Sequence, residues 1–173
     1  MAKSDSFFIR KTIDAENNNT YQQQAIDLGA YVDALGKSVL RIHNVQVTYS
    51  DSTGRSSQIN VGEAAIAQWQ LVTQFQSNIV RDDDKSVISS GRVHMTNLST
   101  SAPPTLLATH VSDMNGLNLH DWTNGYLVGT ETIYLGGSAS TAFQGDVYIT
   151  VVMECTVETL SQAAAMALAL SQQ

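Results

Sequence analysis

The sequence predicts an all-β fold, an antiparallel β-sandwich or barrel of eight or nine strands with a short C-terminal helix. Apolar and polar residues alternate along several segments, which is typical of half-buried strands. Clusters of turn-forming residues separate these segments, and helical character is clear only in the last part of the chain. A length of 173 residues favours a single domain, with an N-terminal arm or strand over 1–14, a sandwich over 15–158 and a helical tail over 159–173.

Three segments carry the strongest strand patterns. Alternation over 67–76 places Trp69 on the inward side, and alternation over 146–158 places the single cysteine, Cys155, in an apolar row. The alternation over 40–49 changes phase, which predicts a β-bulge near His43 and Asn44. Weaker strand patterns occur over Ser6–Ile13, Ile26–Val32, Gln58–Val61, Val87–Met95, Leu106–Val111 and Tyr126–Leu135.

Turns are expected where Gly, Asp, Asn, Ser and Pro cluster. The predicted turns are 51–54, 81–85, 101–104, 115–116, 124–125 and 136–138. Residues 62–66 are compatible with one helical turn, and the polar runs 17–19 and 22–24 are typical of a loop.

The charge, the cysteine count and the N-terminus each limit what the chain can do. The net charge is −7 and only 14% of residues are charged, so direct binding to a nucleic-acid backbone is not expected. With one cysteine, no intrachain disulfide can form, and Cys155 is expected to be a small buried hydrophobe. The N-terminus has no signal-peptide pattern, so the chain is expected to be made in the cytoplasm.

No residue pattern specifies a reaction, a cofactor or a metal, so an enzyme is not expected. The run Asp82 to Asp84 lacks the spacing of a calcium-binding loop and is predicted to form a charged hairpin tip. A second group of potential ligands is predicted to lie in surface turns and not to bind a metal: His110, Asp113, His120 and Asp121.

Size, strand count and the long final strand Asp146–Glu158, followed by a tail, resemble the single jelly-roll major capsid proteins of tailless icosahedral viruses of bacteria and archaea. The resemblance lies in this layout and not in a signature motif. It implies a jelly-roll-like sandwich without catalytic residues, which assembles with itself, and with other capsid proteins, into the shell of a virion. Such shells often surround an internal membrane, so a membrane contact stays open.

The tail from Thr159 to Gln173 is Ala- and Leu-rich and predicts a helix that is apolar almost all round. We expect Leu160 and Ala164, with Leu168, to face the chain's own sandwich, and Met166 and Leu170 to face a neighbouring copy. The candidate assembly residues of the tail are Met166, Leu168 and Leu170, whose burial would contribute to a contact. A helix that rests on lipid is the rival, but this one has no Lys or Arg on its polar side.

The remaining candidate assembly residues are Phe7, Phe8 and Ile9 in the N-terminal strand and Trp122 in a loop. Two alternative functions stay open. One is an extracellular filament or tube in which the strand Phe7–Ile13 inserts into the next subunit. The other is a carbohydrate-binding sandwich with Trp122 and Tyr126 as its platform.

Overall fold

The computed structural model describes residues 5–33, 37–98, 110–117, 119 and 122–172. These residues contain nine β-strands and one α-helix. In chain order they are β1 (Phe7–Asp14), β2 (Gln22–Asp27), β3 (Ser38–Ser50), β4 (Ala64–Val72), β5 (Val87–Thr96), β6 (His110–Leu117), β7 (Tyr126–Val128), β8 (Thr132–Ala139), β9 (Tyr148–Thr159) and α1 (Gln162–Ser171).

The strands form two antiparallel sheets that pack face to face. The first sheet has the order β1-β9-β3-β7, and the second has the order β2-β8-β4-β5-β6. The chain crosses from one sheet to the other at almost every connection, and only β4, β5 and β6 follow one another within a sheet. This order is that of a jelly roll with one additional strand, β6, at the edge of the second sheet. The predicted antiparallel sandwich with a C-terminal helix is confirmed.

The core lies between the inward faces of the two sheets. In β9 one parity is completely buried, from Ile149 through Cys155, as the alternation predicts. From the second sheet, Trp69 on β4 is 2% exposed and Leu135 on β8 is fully buried. A continuous cluster of buried apolar side chains fills most of the space between the sheets and forms a packed core.

The predicted bulge in β3 is present. The register of β3 against β9 shifts between Ile42 and Asn44. The extra residue, His43, lets Leu40 and Ile42 point inward before it, while Val45 and Val47 point inward after it.

Several predicted strand limits were wrong. Strand β2 covers the run Gln22–Gln24, expected to be a loop, and ends at Asp27, whose carboxylate accepts a hydrogen bond from the Gly29 amide (2.8 Å). Strand β4 starts at Ala64, where a helical turn was expected, and it ends at Val72, not at Gln76. Gln58–Val61 contributes only an isolated bridge at Ile59, and the predicted strand Leu106–Val111 lies partly outside the described residues.

For two longer segments the predicted secondary structure was wrong. The segment Tyr126–Leu135, predicted as one strand, is divided into β7 in the first sheet and β8 in the second. The segment from His110, predicted as a loop with a turn at 115–116, is strand β6 instead. Its register against β5 shifts between Gly91, opposite Asn115, and Ser90, opposite Leu117, so Gly116 is accommodated as a bulge.

Gly136 and Gly137 lie inside β8, although the sequence predicts a turn there. A Cβ on Gly136 would lie 1.9 Å from the Tyr21 hydroxyl, and a Cβ on Gly137 would lie 2.8 Å from both the Gln68 carbonyl oxygen and Ile149 Cδ1. Both glycines are needed because other groups occupy the space on the two sides of the strand. Burial in this contact raises the pKa of Tyr21 to about 12.

Replacing Gly137 with alanine should lower the free energy of unfolding by about 1–3 kcal/mol, because the new methyl group meets a backbone oxygen that cannot move away. Urea denaturation measures the change. Gly145→Ala is the control, since nothing lies within 4 Å of a Cβ at that position. Equal stability of the two variants would contradict this account of β8.

Candidate assembly surface

Helix α1 begins after Ser161, whose hydroxyl accepts a hydrogen bond from the Ala164 amide (3.3 Å). This N-cap and the alanine-rich sequence account for the helix. Its ten residues follow β9 directly, so the position of the helix depends on the end of that strand.

The face of α1 that contacts the sandwich is made of small residues. Ala165 and Ala169 are 1% and 8% exposed, and Leu168 is half-buried. The helix approaches Gly129 so closely that a Cβ there would lie 3.0 Å from the Ala169 amide nitrogen. The expectation that Ala164 faces the sandwich was wrong, since Ala164 is exposed. Because α1 lies so close to Gly129, the residues that face the sandwich are the small pair Ala165 and Ala169, which follow Ala164 and Leu168 in the helix.

Gln172, directly after the helix, fixes its C-terminal end to the body of the domain. Its side-chain amide donates to the Leu127 carbonyl (2.6 Å) and accepts from the Gly129 amide (2.8 Å). Its main-chain carbonyl accepts from the Thr73 hydroxyl (2.8 Å) and from the Gln74 side chain (3.2 Å). Gln172 is 4% exposed, so these bonds are shielded from water. They join the end of α1 to β7 and to the segment that follows β4.

The opposite side of α1 is apolar and exposed. Met166 is 44% exposed and Leu170 is 68% exposed. Phe75 lines a groove together with Ala169, is 70% exposed and contacts Tyr134 edge-on with ring centroids 5.9 Å apart. We call Met166, Leu170 and Phe75 the tail patch. The alternation over 67–76 puts Phe75 on the same side as Trp69, but β4 ends at Val72, and the ring of Phe75 lies on the surface.

The N-terminal candidates Phe7, Phe8 and Ile9 lie on opposite faces of β1. Phe7 stacks on Tyr31 with ring centroids 4.7 Å apart, and Ile9 packs against the core. Phe8 points to the outer face and is 55% exposed, with the Arg10 guanidinium 5.5 Å from its ring centroid. Over its whole length β1 pairs with β9 of the same chain.

Trp122 is 46% exposed and lies in the turn that leads into β7. The turn is held by Arg41, which donates to the Asn124 carbonyl. The same guanidinium makes two hydrogen bonds to Glu158, at 2.7 and 2.9 Å, and this hydrogen-bonded ion pair raises the pKa of Arg41. Trp122 therefore lies on a turn that is connected to both β3 and β9.

The acidic run at 82–84 has local partners. Asp82 accepts a hydrogen bond from the Ser90 hydroxyl (2.6 Å), and Asp84 accepts from the amide and the hydroxyl of Ser86 (2.8 and 2.7 Å). Asp83 forms an exposed ion pair with Arg81 (3.2 Å). The three carboxylates thus have different neighbours, as expected for a loop between β4 and β5.

No group of three or more His, Cys, Asp or Glu side chains that could hold a metal occurs among the described side chains. Of the predicted non-binding cluster, His110 and Asp113 lie on β6, and His120 and Asp121 lie outside the described residues. Burial raises the pKa of the Cys155 thiol to about 12, which is the opposite of what a nucleophilic cysteine requires. In the part of the chain that the structure describes, no helix is long and apolar enough to cross a membrane.

Neither a known protein family nor a curated protein matches this sequence. Among solved structures, the chain is similar to VP1 of Trichodysplasia spinulosa-associated polyomavirus, determined with sialylated glyco-oligomers, at 9% identity and a TM-score of 0.42. That match covers 88% of this chain and 95% of VP1. The unassembled VP1 pentamer of Merkel cell polyomavirus matches at 9% identity and a TM-score of 0.43, covering 89% and 96% of the two chains.

The chain is also similar to dimeric latent PorU from Porphyromonas gingivalis, at 10% identity and a TM-score of 0.40, over 87% of this chain and 13% of PorU. At these scores the matches carry no argument about function. The jelly-roll assignment depends on the strand order of this chain. The polyomavirus matches are with viral capsid proteins, and they do not come from bacterial or archaeal viruses.

Two residues of the candidate surface escaped the sequence analysis. Gln172 carries no signal in the sequence, because a polar residue near a chain end is ordinarily solvated. Phe75 continues the alternation of β4, and only the early end of that strand exposes it.

Replacing Gln172 with alanine should release the C-terminal turn of α1, because the Gly129 amide and the Leu127 carbonyl lose their partner. We expect a loss of about 1–3 kcal/mol in the free energy of unfolding and faster amide exchange along α1. Hydrogen exchange read by mass spectrometry measures it. Gln24→Ala, an exposed glutamine on β2, is the control. Unchanged exchange in α1 would show that Gln172 does not anchor the helix.

Cys155 should not react with thiol reagents in the folded protein, because it is fully buried and its pKa is raised from 9.0 to about 12. The unfolded thiol ionises first, so this group favours the folded state below pH 9 and lowers its stability as pH rises from 9 towards 12. Labelling with a chromogenic disulfide at pH 8, with and without urea, tests the burial. Fast labelling without urea would mean that β9 is misplaced.

Proposed function

We propose that this chain is a structural, self-assembling subunit, a viral capsid protein that forms a shell through repeated contacts between copies. The observation that carries the proposal is the tail patch. A helix held by Gln172 presents Met166 and Leu170 to solvent, and the exposed ring of Phe75 lines a groove together with Ala169 of the same helix. An apolar surface on a rigid element is typical of a protein–protein interface.

The jelly-roll fold limits the classes of function to be considered. Jelly rolls occur in viral capsid proteins, in lectins and in cupins. A cupin-type metal enzyme would need metal ligands inside the sandwich, whereas the clustered core side chains of this chain are hydrophobic residues. The described side chains also include no metal-ligand group of three, and the only cysteine is buried with a raised pKa. A structural role agrees best with these features.

Burial of the tail patch would stabilise a contact between copies. Complete burial of a Met, Leu or Phe side chain contributes about 1.5–3 kcal/mol. The tail patch offers three such side chains, and Leu168 is already partly covered by the chain's own sandwich. In a symmetric shell the same contribution recurs at every equivalent interface.

The partners that follow are other copies of this chain and, in a complete shell, other capsid proteins, with the virion as the location. A virus of bacteria or archaea as the source, and the participation of Phe7, Phe8, Ile9 and Trp122 in contacts, belong to the same proposal. A contact with an internal membrane would use the same exposed apolar residues. The net charge of −7 argues against direct contact with the genome.

Two other functions are less well supported by the geometry. A filament joined by strand exchange would require β1 to leave β9, with which it pairs over eight residues. A sugar-binding platform of Trp122 and Tyr126 would require both rings at the surface, but Tyr126 is half-buried and packs against the core.

The double variant Met166→Ser, Leu170→Ser should fold normally and fail to form large assemblies. Both side chains point away from the sandwich, so the thermal midpoint should change by no more than a few degrees. Removing the apolar surface should raise the concentration needed for assembly by about tenfold or more. Analytical ultracentrifugation and negative-stain microscopy of the full-length protein measure the effect.

Ala163→Ser, an exposed change in the same helix, is the matched control. These point variants are preferable to a chain that stops after Leu160, since that truncation also removes the bonds of Gln172 and would confuse folding with assembly. Assembly of the double variant at the wild-type concentration would exclude the tail patch as the contact. A wild-type chain that remains monomeric at high concentration would contradict the proposed function itself.

A further inference from the structure

Strand β3 is paired along its full length on one side only. Of its thirteen residues, all except the bulge residue His43 pair with β9, from Ser38 to Ser50. On the other side β7 pairs with Leu40–Ile42 alone. Beyond Ile42, no strand among the described residues lies on that side, so Asn44–Thr48 forms an open edge of the first sheet.

The geometry of the preceding turn explains why the pairing stops. Gly125 has a φ of +60°, and a Cβ at that position would lie 2.1 Å from the Ile42 carbonyl oxygen. The turn before β7 therefore contacts β3 at Ile42, and β7 runs from that point only towards Leu40. The turn also lies against His43, which limits the open edge to the residues after the bulge.

This edge lacks the features by which sheets normally avoid pairing with other chains. Charged residues and proline protect most edge strands. Asn44–Thr48 contains no charge, no proline and no glycine, and the only Lys, Arg, Asp or Glu residue of β3 is Arg41, which lies before the bulge. An unprotected neutral edge is suited to main-chain pairing with another strand.

We propose that the open edge of β3 pairs with the same edge of a second copy, antiparallel, about a two-fold axis at Gln46. The edge is complementary to itself in this register. Val45 lies opposite Val47 of the second copy, and both are half-buried on the inner face. Asn44 lies opposite Thr48, and Gln46 lies opposite its own copy, so polar residues meet on the outer face. No charge is buried.

A two-fold contact of this kind continues the first sheet from one copy into the next. It is isologous, because each copy contributes the same surface. The inference rests on the proposed self-assembly but uses a surface separate from the tail patch. The two contacts can therefore fail independently, and a chain that has both can form dimers and connect them further.

The first test is the double variant Gln46→Lys, Thr48→Lys in the full-length chain. Both side chains are exposed, so the fold should be retained, but two lysines would face each other at the axis. We expect the dimer dissociation constant from sedimentation to rise by at least about tenfold. Gln24→Lys on the edge strand β2 is the matched control and should leave it unchanged.

The second test fixes the register. In the proposed pairing the two copies of residue 46 lie directly opposite, with Cβ atoms about 4.5–5.5 Å apart. Gln46→Cys should therefore form a cross-linked dimer on mild oxidation. Thr48→Cys should not, because its two copies would be four residues apart along the strands, about 13 Å. Buried Cys155 does not interfere.

Cross-linking through residue 46 with weakened dimers in the lysine variant supports the inference. Cross-linking through residue 48 alone, or a lysine variant that associates like the wild type, overturns it and leaves the tail-patch proposal standing. The Met166→Ser, Leu170→Ser variant should still form the residue-46 cross-link. If this variant no longer formed the cross-link, the two contacts would not be independent. A wild-type chain that remains monomeric would overturn both proposals.

Discussion

The buried row of β9 is the contact on which most of the domain depends. Ile149, Val151, Met153 and Cys155 are fully buried, and they face the side chains of the second sheet. The strand is flanked by β1 on one side and β3 on the other, so its position sets the register of both neighbours. Because β9 also leads directly into α1, the same packing determines where the tail begins.

Side-chain amides and hydroxyls hold the connections in this weakly charged chain. Gln70 binds both the amide and the carbonyl of Val80 and thereby holds the β4–β5 connection against the outer face of the second sheet. Asn97 donates to the Ile59 carbonyl at the opposite end of the sandwich (3.2 Å), and Gln172 holds α1. Buried amides satisfy main-chain groups without the desolvation cost of a charge. A surface rich in Gln, Asn, Ser and Thr is consistent with this use.

The two proposed contact surfaces differ in their physical basis. The tail patch offers apolar area on a helix, so its contribution is non-directional and depends on shape. The edge of β3 offers main-chain donors and acceptors in a fixed spacing, so its contribution depends on register. A subunit that combines one contact of each kind can gain affinity from the first and orientation from the second. Closed shells need both, since small errors in orientation accumulate around a shell.

Local patterns in the sequence determined the elements whose neighbours follow simple rules. The period-2 alternation was sufficient to predict the buried rows of β4 and β9, and the phase change at His43 was sufficient to predict the bulge. Both follow because side-chain direction is a local property of a strand. The alanine-rich tail was sufficient to predict helix α1.

Tertiary structure alone decided the rest. Gly136 and Gly137 are strand residues because Tyr21 and Ile149 fill the space beside them. Ala165 and Ala169, not Ala164, face the sandwich because Gly129 permits a close approach there. The part of the β3 edge that stays open depends on where β7 begins, and that start is set by the contact of Gly125 with Ile42, a residue more than eighty positions away in the chain.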